Sequence, residues 1–409
     1  MIVTALSAAA CSAQPGNAGG PPRGEAPAAL DWKNLEAPVL SHHVQLTSRD
    51  QFLKAGEAYF SPEGKWIVFQ AVPTPASGKA PDPHYSMYVA KLTRDKGGRI
   101  AGLESPILIS PPGSWNSCGW FHPQTPYKVL FGSTMEPPST EQHGEFRVGQ
   151  RTYTWLFPKE TDIVIRSVPA IFMDLHPDAP PVLWGDDAKA PVRVIDRPDY
   201  DAESSYTKDG RFILYAHVRE DRQVGHKADA DIWVRDTQTG KDYPLITEDG
   251  YDGGPFFSPD EKWICYRSDR KGDDLLQLFV AELKFENGVP VGITKEYQVT
   301  DNGAVNWAPY WDPTGTYLVY GTSEVGHMNY EVFAVEAPAE RLRAGATPSD
   351  LKRVRITHAN GADVLPVFSP DGRHLMWTAQ RGPLGTGDQR PTSQLWIAEF
   401  NAAGLSLGH

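Results

Sequence analysis

Phe368-Ser-Pro-Asp-Gly-Arg-His-Leu-Met-Trp377 reads as an aromatic residue, a hydroxyl, a proline-led turn, a basic residue and an apolar run closed by a second aromatic. Pro followed by Asp-Gly sets a tight turn between two antiparallel strands. The same order recurs in Phe60-Ser-Pro-Glu-Gly-Lys-Trp-Ile-Val-Phe69, Phe121-His-Pro-Gln-Thr-Pro-Tyr-Lys-Val-Leu-Phe131 and Tyr206-Thr-Lys-Asp-Gly-Arg-Phe-Ile-Leu-Tyr215. It recurs again in Phe257-Ser-Pro-Asp-Glu-Lys-Trp-Ile-Cys-Tyr266 and Trp311-Asp-Pro-Thr-Gly-Thr-Tyr-Leu-Val-Tyr320. One such turn is common. Six in one chain define a repeat.

Working outward, a third strand is expected after each hairpin, at 85–92, 162–166, 231–236, 276–283, 331–337 and 394–400, with the apolar run 170–173 competing for the second of these. A short outer strand, usually ending in Thr or Ser, is expected at 107–110, 192–196, 245–247, 298–300 and 354–357. The sixth outer strand is found at the other end, in His43-Val-Gln-Leu-Thr47. Four-stranded units around an axis make a propeller, and closing the ring removes the exposed edges. The expected fold is all-β: a six-bladed β-propeller of four-stranded antiparallel blades, closed by residues 43–47 completing the last blade.

Composition agrees. The 409 residues include 37 Gly and 36 Pro, which punctuate turns rather than long helices. With 40% hydrophobic residues, 12 Trp, 16 Tyr and 16 Phe, disorder is excluded for most of the chain. No apolar run reaches the length of a membrane span. The formal charge of −12 sets the chain against nucleic acid and anionic membrane surfaces. A monomer with a protein or peptide partner is expected.

Cys118 and Cys265 sit in aromatic strand-like runs and read as core residues, and no Cys/His zinc spacing occurs. Cys11 ends the small, apolar stretch Met1-Ile-Val-Thr-Ala-Leu-Ser-Ala-Ala-Ala-Cys11, which resembles the end of a bacterial lipoprotein signal. Its ten preceding residues lack a basic region. The expected organisation is therefore a truncated or atypical signal at 1–11, a flexible Gly/Pro/Ala-rich tether at 12–36 and the propeller at 37–409. Lipidation at Cys11 would be the sole membrane attachment and would place the protein in the periplasm or outside the cell. A cytosolic protein with an Ala/Gly tail is the alternative.

The hairpins resemble the TolB-type, or PD40, WD40-like propeller, whose blades carry an F-S-P-D-G-K-x-I-x-F pattern, and the resemblance covers residues 43–400. It implies six blades in an extracytoplasmic protein that binds other proteins. The Tol-system protein carries a sizeable α/β domain before its propeller, whereas about forty residues stand here. The same hairpin occurs in the propellers of prolyl-oligopeptidase-like peptidases.

In such a blade the short Pro-Asp-Gly hairpins lie on one face and read as structural. The longer connections lie on the opposite face, around 133–161, 219–231, 268–275, 323–330 and 379–394, and function is expected there. Six residues before the second residue of each hairpin stand Ala55, Asn116, Asp201, Asp252, Asn306 and Asp363, just ahead of the innermost strand at the channel mouth. A ring of such oxygens would bind Ca²⁺ or a partner's basic or hydroxylated group, with Glu57 and Glu203 adding charge. The same residue types also cap their own loops. His217, His226 and His327 are conceivable metal ligands that lack ligand spacing. Arg219, Arg267 and Arg381 would grip a carboxylate or pair with nearby Asp, and Trp115, Trp155 and Trp307 would stack on a ligand or fill gaps between blades. No nucleophile elbow, zincin or phosphate-loop motif is present. The leading expectation is a non-catalytic binding module on the long-loop face. Its rival is a propeller lyase or hydrolase acting on envelope or extracellular glycan.

Overall fold

A computed structural model describes residues 30–139, 146–147, 152–153, 158–180, 182–224, 227–273, 275–385, 388 and 390–407. Six antiparallel blades follow one another around an axis, five of four strands and the first with an additional short strand. Blade two is interrupted by a two-stranded ribbon (Phe146–Arg147, Thr152–Tyr153), and the last blade takes its outer strand from the N-terminal side. The innermost strands are Phe52–Phe60, Asn116–Phe121, Tyr200–Tyr206, Asp252–Phe257, Asn306–Trp311 and Asp363–Phe368. Each leads through its proline or Asp-Gly turn into a second strand, such as Trp66–Pro73 or His374–Ala379. The glycines of these turns, for example Gly64, Gly210 and Gly372, take the left-handed φ of 67–75° that the tight turn demands.

The ring is closed as the sequence predicts. Leu40–Gln45 pairs antiparallel with Gln394–Phe400, Leu40 opposite Phe400 and Gln45 opposite Trp396. The strand begins three residues earlier than expected and ends two residues earlier. Within the stretch expected as tether, Trp32–Glu36 forms a helix, capped by Asp31; residues 12–29 lie outside the described residues. Val39 and Leu40 share a core with Val319 and Val332 of blade five and Trp377 of blade six. That burial orders the segment. Cys11 lies outside the described residues.

Two expectations on loops change. The run 170–173 belongs to the helix Pro169–Leu175, opened by Pro at its first turn, and the third strand of blade two is Asp162–Ser167. The connection 219–231 is largely strand, since Phe212–Val224 and Lys227–Asp236 extend the second hairpin of blade three. Among the described residues no helix is long and apolar enough to cross a membrane.

One backbone device recurs in all six innermost strands. Pairing with the second strand slips between Gly56 and Ala58, Ser117 and Trp120, Ala202 and Ser205, Gly253 and Phe256, Trp307 and Tyr310, and Val364 and Val367. Each slip is a β-bulge whose first residue has a left-handed φ: Glu57 (47°), Cys118 (54°), Glu203 (56°), Gly254 (60°), Ala308 (52°) and Leu365 (56°). A left-handed conformation at a non-glycine residue costs on the order of 1 kcal/mol. Five such residues in one ring are held there by the surrounding sheets.

Candidate functional site

The six bulge residues converge on the channel. Together with Tyr59, Ser204, Arg267 and Trp307 they line a cavity of about 30 Å³ on the long-loop side. Its floor is aromatic. Tyr59 of blade one and Phe256 of blade four, diametrically opposed in a six-membered ring, approach to 5.7 Å between ring centroids. Trp120 and Tyr310 pack against the same Phe256 at 5.6 and 5.1 Å. The channel is therefore closed at this level. Below the floor, the hairpin face opens into a separate funnel of about 300 Å³, lined by Phe60, Phe257 and the turn prolines. The sequence reading of that face as purely structural had not anticipated a concavity there.

The cavity's polar groups form two sets. In the first, Arg267 Nη2 stands 3.1 Å from Glu203 Oε1 and donates to the Tyr251 hydroxyl at 2.6 Å. The Tyr251 hydroxyl donates to Glu203 Oε1 at 2.9 Å, and the Gly254 N–H donates to Glu203 Oε2. The guanidinium lies over Trp307 at 3.8 Å. Burial works against its charge, but Tyr251 and Glu203 outweigh burial and raise its pKa. Gly254 makes this possible, since a Cβ there would lie 1.7 Å from Arg267 Nη1. Blade four thus presents an arginine borrowed from its second strand instead of a bulge side chain.

In the second set, Cys118 Sγ donates to Glu57 Oε1 at 2.9 Å. Burial, then Glu57 and Glu203, pushes the thiol well above its ordinary range, so it stays protonated and is no nucleophile. Ser204, 4% exposed, lines the cavity with its hydroxyl unpartnered. Two carboxylates against one guanidinium leave one formal negative charge, centred on Glu57.

The Asn and Asp residues expected at the channel mouth sit two residues before the bulge in each strand and are fully buried. Their backbone latches neighbouring blades. The N–H groups of Ala55, Asp201, Asn306 and Asp363 donate to the carbonyls of Ser393, Thr161, Leu276 and Tyr330, which precede the third strand of the adjacent blade. Their side chains have protein partners. Asn116 Nδ2 donates to the Tyr85 carbonyl, and Asn306 Nδ2 to the Leu276 carbonyl and Gln277 Oε1. Asp201 accepts from Arg197 and meets His217 Nδ1 at 3.0 Å, Asp252 accepts from Arg270, and Asp363 accepts from Arg381. Two of the charged pairs follow a spacing that the sequence displays: Arg270 and Arg381 each stand eighteen positions after Asp252 and Asp363. Asp201 instead takes Arg197 from four positions before it, and the Asn copies are followed at eighteen by Thr134 and Glu324.

The terminal Thr of the outer strands has a similar role. Thr47, Thr300 and Thr357 each accept from the N–H of Leu395, Leu278 and Val332. Each also donates to the first side chain of a third strand, Gln394, Gln277 and Glu331. Glu331 occupies the place of a glutamine, and burial together with Asp363 raises its pKa.

Of the remaining candidates, Arg267 and Trp307 reach the cavity, and Trp115 packs edge-on against Tyr200 at its rim. Arg381 is buried between Glu36 and Asp363. His327 packs on Tyr330, 5.5 Å between centroids, and Cys265 is buried in the core. His226 and Trp155 lie outside the described residues. Among the described residues no group of three or more His, Cys, Asp or Glu side chains is arranged to hold a metal ion. Sequence reasoning missed Cys118, Ser204, Tyr251 and the aromatic floor. A register count of two and four positions past each Asn or Asp would have found all but Ser204 and Tyr251.

No family model matches the chain. Among curated proteins it is 31% identical over 153 residues to the Tol-Pal system protein TolB of Wolinella succinogenes, covering 37% of this chain and 32% of that protein. It is 24% identical over 231 residues to the uncharacterized peptidase YuxL of Bacillus subtilis, covering 48% of this chain and 31% of that protein. The chain thus spans about a third of the length of these relatives. Among solved structures, a putative TolB from Agrobacterium tumefaciens covers 85% of this chain and 91% of its own at 15% identity and a TM-score of 0.48. An oligogalacturonate lyase in complex with manganese covers 87% of this chain and 90% of its own at 13% identity and a TM-score of 0.42. Six antiparallel blades, each turned by the repeated hairpin, make the chain a six-bladed β-propeller.

Proposed function

We propose that the chain is an extracytoplasmic, non-catalytic binding module that recognises a protein or peptide on its long-loop face. The cavity would receive one basic group of that partner, an ammonium or a guanidinium. The observation that carries this reading is the blind cavity with the Glu57 carboxylate facing it, held in no ion pair among the described residues, beside the Glu203–Arg267 pair. A carboxylate in a water-poor pocket recognises a cation more strongly than one in bulk solvent. The protonated thiol of Cys118 and the satisfied Glu203 offer no nucleophile. The long-loop face also receives Trp115, Tyr200 and Tyr251, the aromatic types enriched where proteins meet partners.

The test is calorimetric, with arginine amide and a short peptide of N-terminal arginine as probes. Glu57→Gln, which keeps shape and removes charge, should weaken binding at least tenfold, about 1.4 kcal/mol, at an unchanged melting temperature. Equal affinity in the variant would remove Glu57 from recognition. Turnover of an oligosaccharide by the purified protein would replace the binding reading with the lyase or hydrolase. The extracytoplasmic assignment rests on the small-residue run ending at Cys11. Fatty-acid label should enter the protein in cells and be lost in Cys11→Ser, and label-free wild-type protein would withdraw the anchor.

A further inference from the structure

The residue before each buried Asn, Asp or Ala lies at the long-loop rim of the channel. Five blades place Trp115, Tyr200, Tyr251, Val305 and Ala362 there, all but Trp115 fully buried. Blade one places Lys54. Pairing of the first three strands sets Lys54 opposite Val72, and Ala71 opposite Ser86, so Lys54, Val72 and Tyr85 share one row on one face of the blade. That row meets blade two, where Asn116 holds the Tyr85 carbonyl.

Lys54 is partly buried, and no carboxylate lies within ion-pair distance of it among the described residues. Its Nζ stands over the Tyr85 ring, 4.4 Å from the centroid. Tyr85 is 5% exposed, and its hydroxyl is buried without a hydrogen-bond partner. A buried hydroxyl of this kind costs about 1–3 kcal/mol when left unsatisfied, so a vacant donor beside an unpaired ammonium calls for an acceptor. With Nζ above the ring, the two donors are on the order of 5 Å apart, a gap that one oxygen bridges with bonds of about 2.8 Å on either side.

We propose that Lys54 and Tyr85 form a carboxylate-binding subsite at the long-loop rim, between blades one and two. The subsite adds to the function proposed above and rests on it only for the source of the carboxylate: a partner peptide that carries an acidic group close to the basic group held by Glu57. Rim and cavity then read opposite charges three residues apart on a single strand, so a peptide with both would be preferred over one with either alone. Burial pushes the Lys54 ammonium down to about 8, and burial followed by Glu57 pushes the Tyr85 phenol up, so the hydroxyl remains a donor. A bound carboxylate would restore the ammonium. His84 and Asp82 are the other titratable groups beside Lys54, and they enter the test as fixed surroundings.

Succinate is the probe. Trace acetylation of the full chain across pH 6–11, read by mass spectrometry at each lysine, reports the reactivity and titration midpoint of Lys54. At about 20 mM succinate, in the millimolar range expected of two polar contacts, Lys54 labelling near pH 8 should fall about fivefold, with its midpoint moving toward the ordinary lysine value while other lysines are unchanged. Tyr85→Phe should lose most of this protection. Glu57→Gln should keep it, so failure of the cation reading leaves this result legible. Unchanged Lys54 labelling with succinate, or equal protection in Tyr85→Phe, would overturn the subsite.

Discussion

Arg381→Met should cost about 3–5 kcal/mol at pH 7, the range seen when one partner of a buried ion pair is removed. Arg381 is 1% exposed and lies between Glu36 (0%) and Asp363 (2%), with the indole of Trp32 4.4 Å from its guanidinium. Glu36 also receives the His358 N–H and contacts His43 at 2.8 Å. Without the arginine, two carboxylates would face each other out of water. Burial already raises the Asp363 carboxyl despite Arg381, whereas His43 and Arg381 overcome burial to hold Glu36 below its usual range. In the variant both would be raised. A raised acid contributes stability that is fully present below its unfolded value, here 4.5 and 3.8, and is lost as pH rises through the folded value. The deficit should therefore shrink as pH falls from 7 toward 4. Adding Asp363→Asn should restore part of it at pH 7. A pH-independent loss below about 1 kcal/mol in denaturant titrations would show that Arg381 balances neither acid.

Removal of residues 1–47 should have the larger effect. It takes away the helix Trp32–Glu36, the closing strand and the Thr47 hydroxyl that caps Leu395, and it strips Glu36 from Arg381. The third strand Gln394–Phe400 would become an open edge, a template for pairing with another chain. The expected result is a protein without a sharp melting transition that sediments as oligomers. A synthetic peptide of residues 30–47 should return both the monomer and the transition. A monomeric truncation that melts with wild-type cooperativity would show that five complete blades and a three-stranded sixth suffice.

Much of the fold was open to reading because its instructions are local. Each Pro-Asp-Gly turn states its own hairpin, and the lack of a sixth outer strand after Phe400 pointed to the run at His43. The helix Trp32–Glu36 was hidden because five residues carry little periodicity and order only by docking on Trp396 and Arg381. The channel lining was hidden for another reason. Glu57, Cys118, Glu203, Gly254, Ala308 and Leu365 share no chemistry, and only the backbone bulge turns them toward the axis. Reasoning from residue type selected Asn116, Asp201, Asp252, Asn306 and Asp363, whose common chemistry serves the joints between blades. The eighteen-residue step from Asp252 and Asp363 to their partner arginines was visible in the sequence. Balancing each buried charge against its own blade would have separated those pairs from the cavity. Lys54 was equally visible, as the one ammonium in a register otherwise filled by aromatic and aliphatic side chains.

The pairing of Ser41 with Glu399 joins residues 358 positions apart. At about 5–20 residues per second, the first strand made would wait roughly 20–70 s for its partner to leave the ribosome. During that interval Val39 and Leu40, which end in a core with Trp377, have no native neighbours. Growing chains of this architecture therefore carry an unmatched apolar segment ahead of the first blade, where a holding chaperone or an export factor would find it. Circular permutation that moves residues 30–47 behind Phe400 would remove the wait, and with it the segment such factors can grasp.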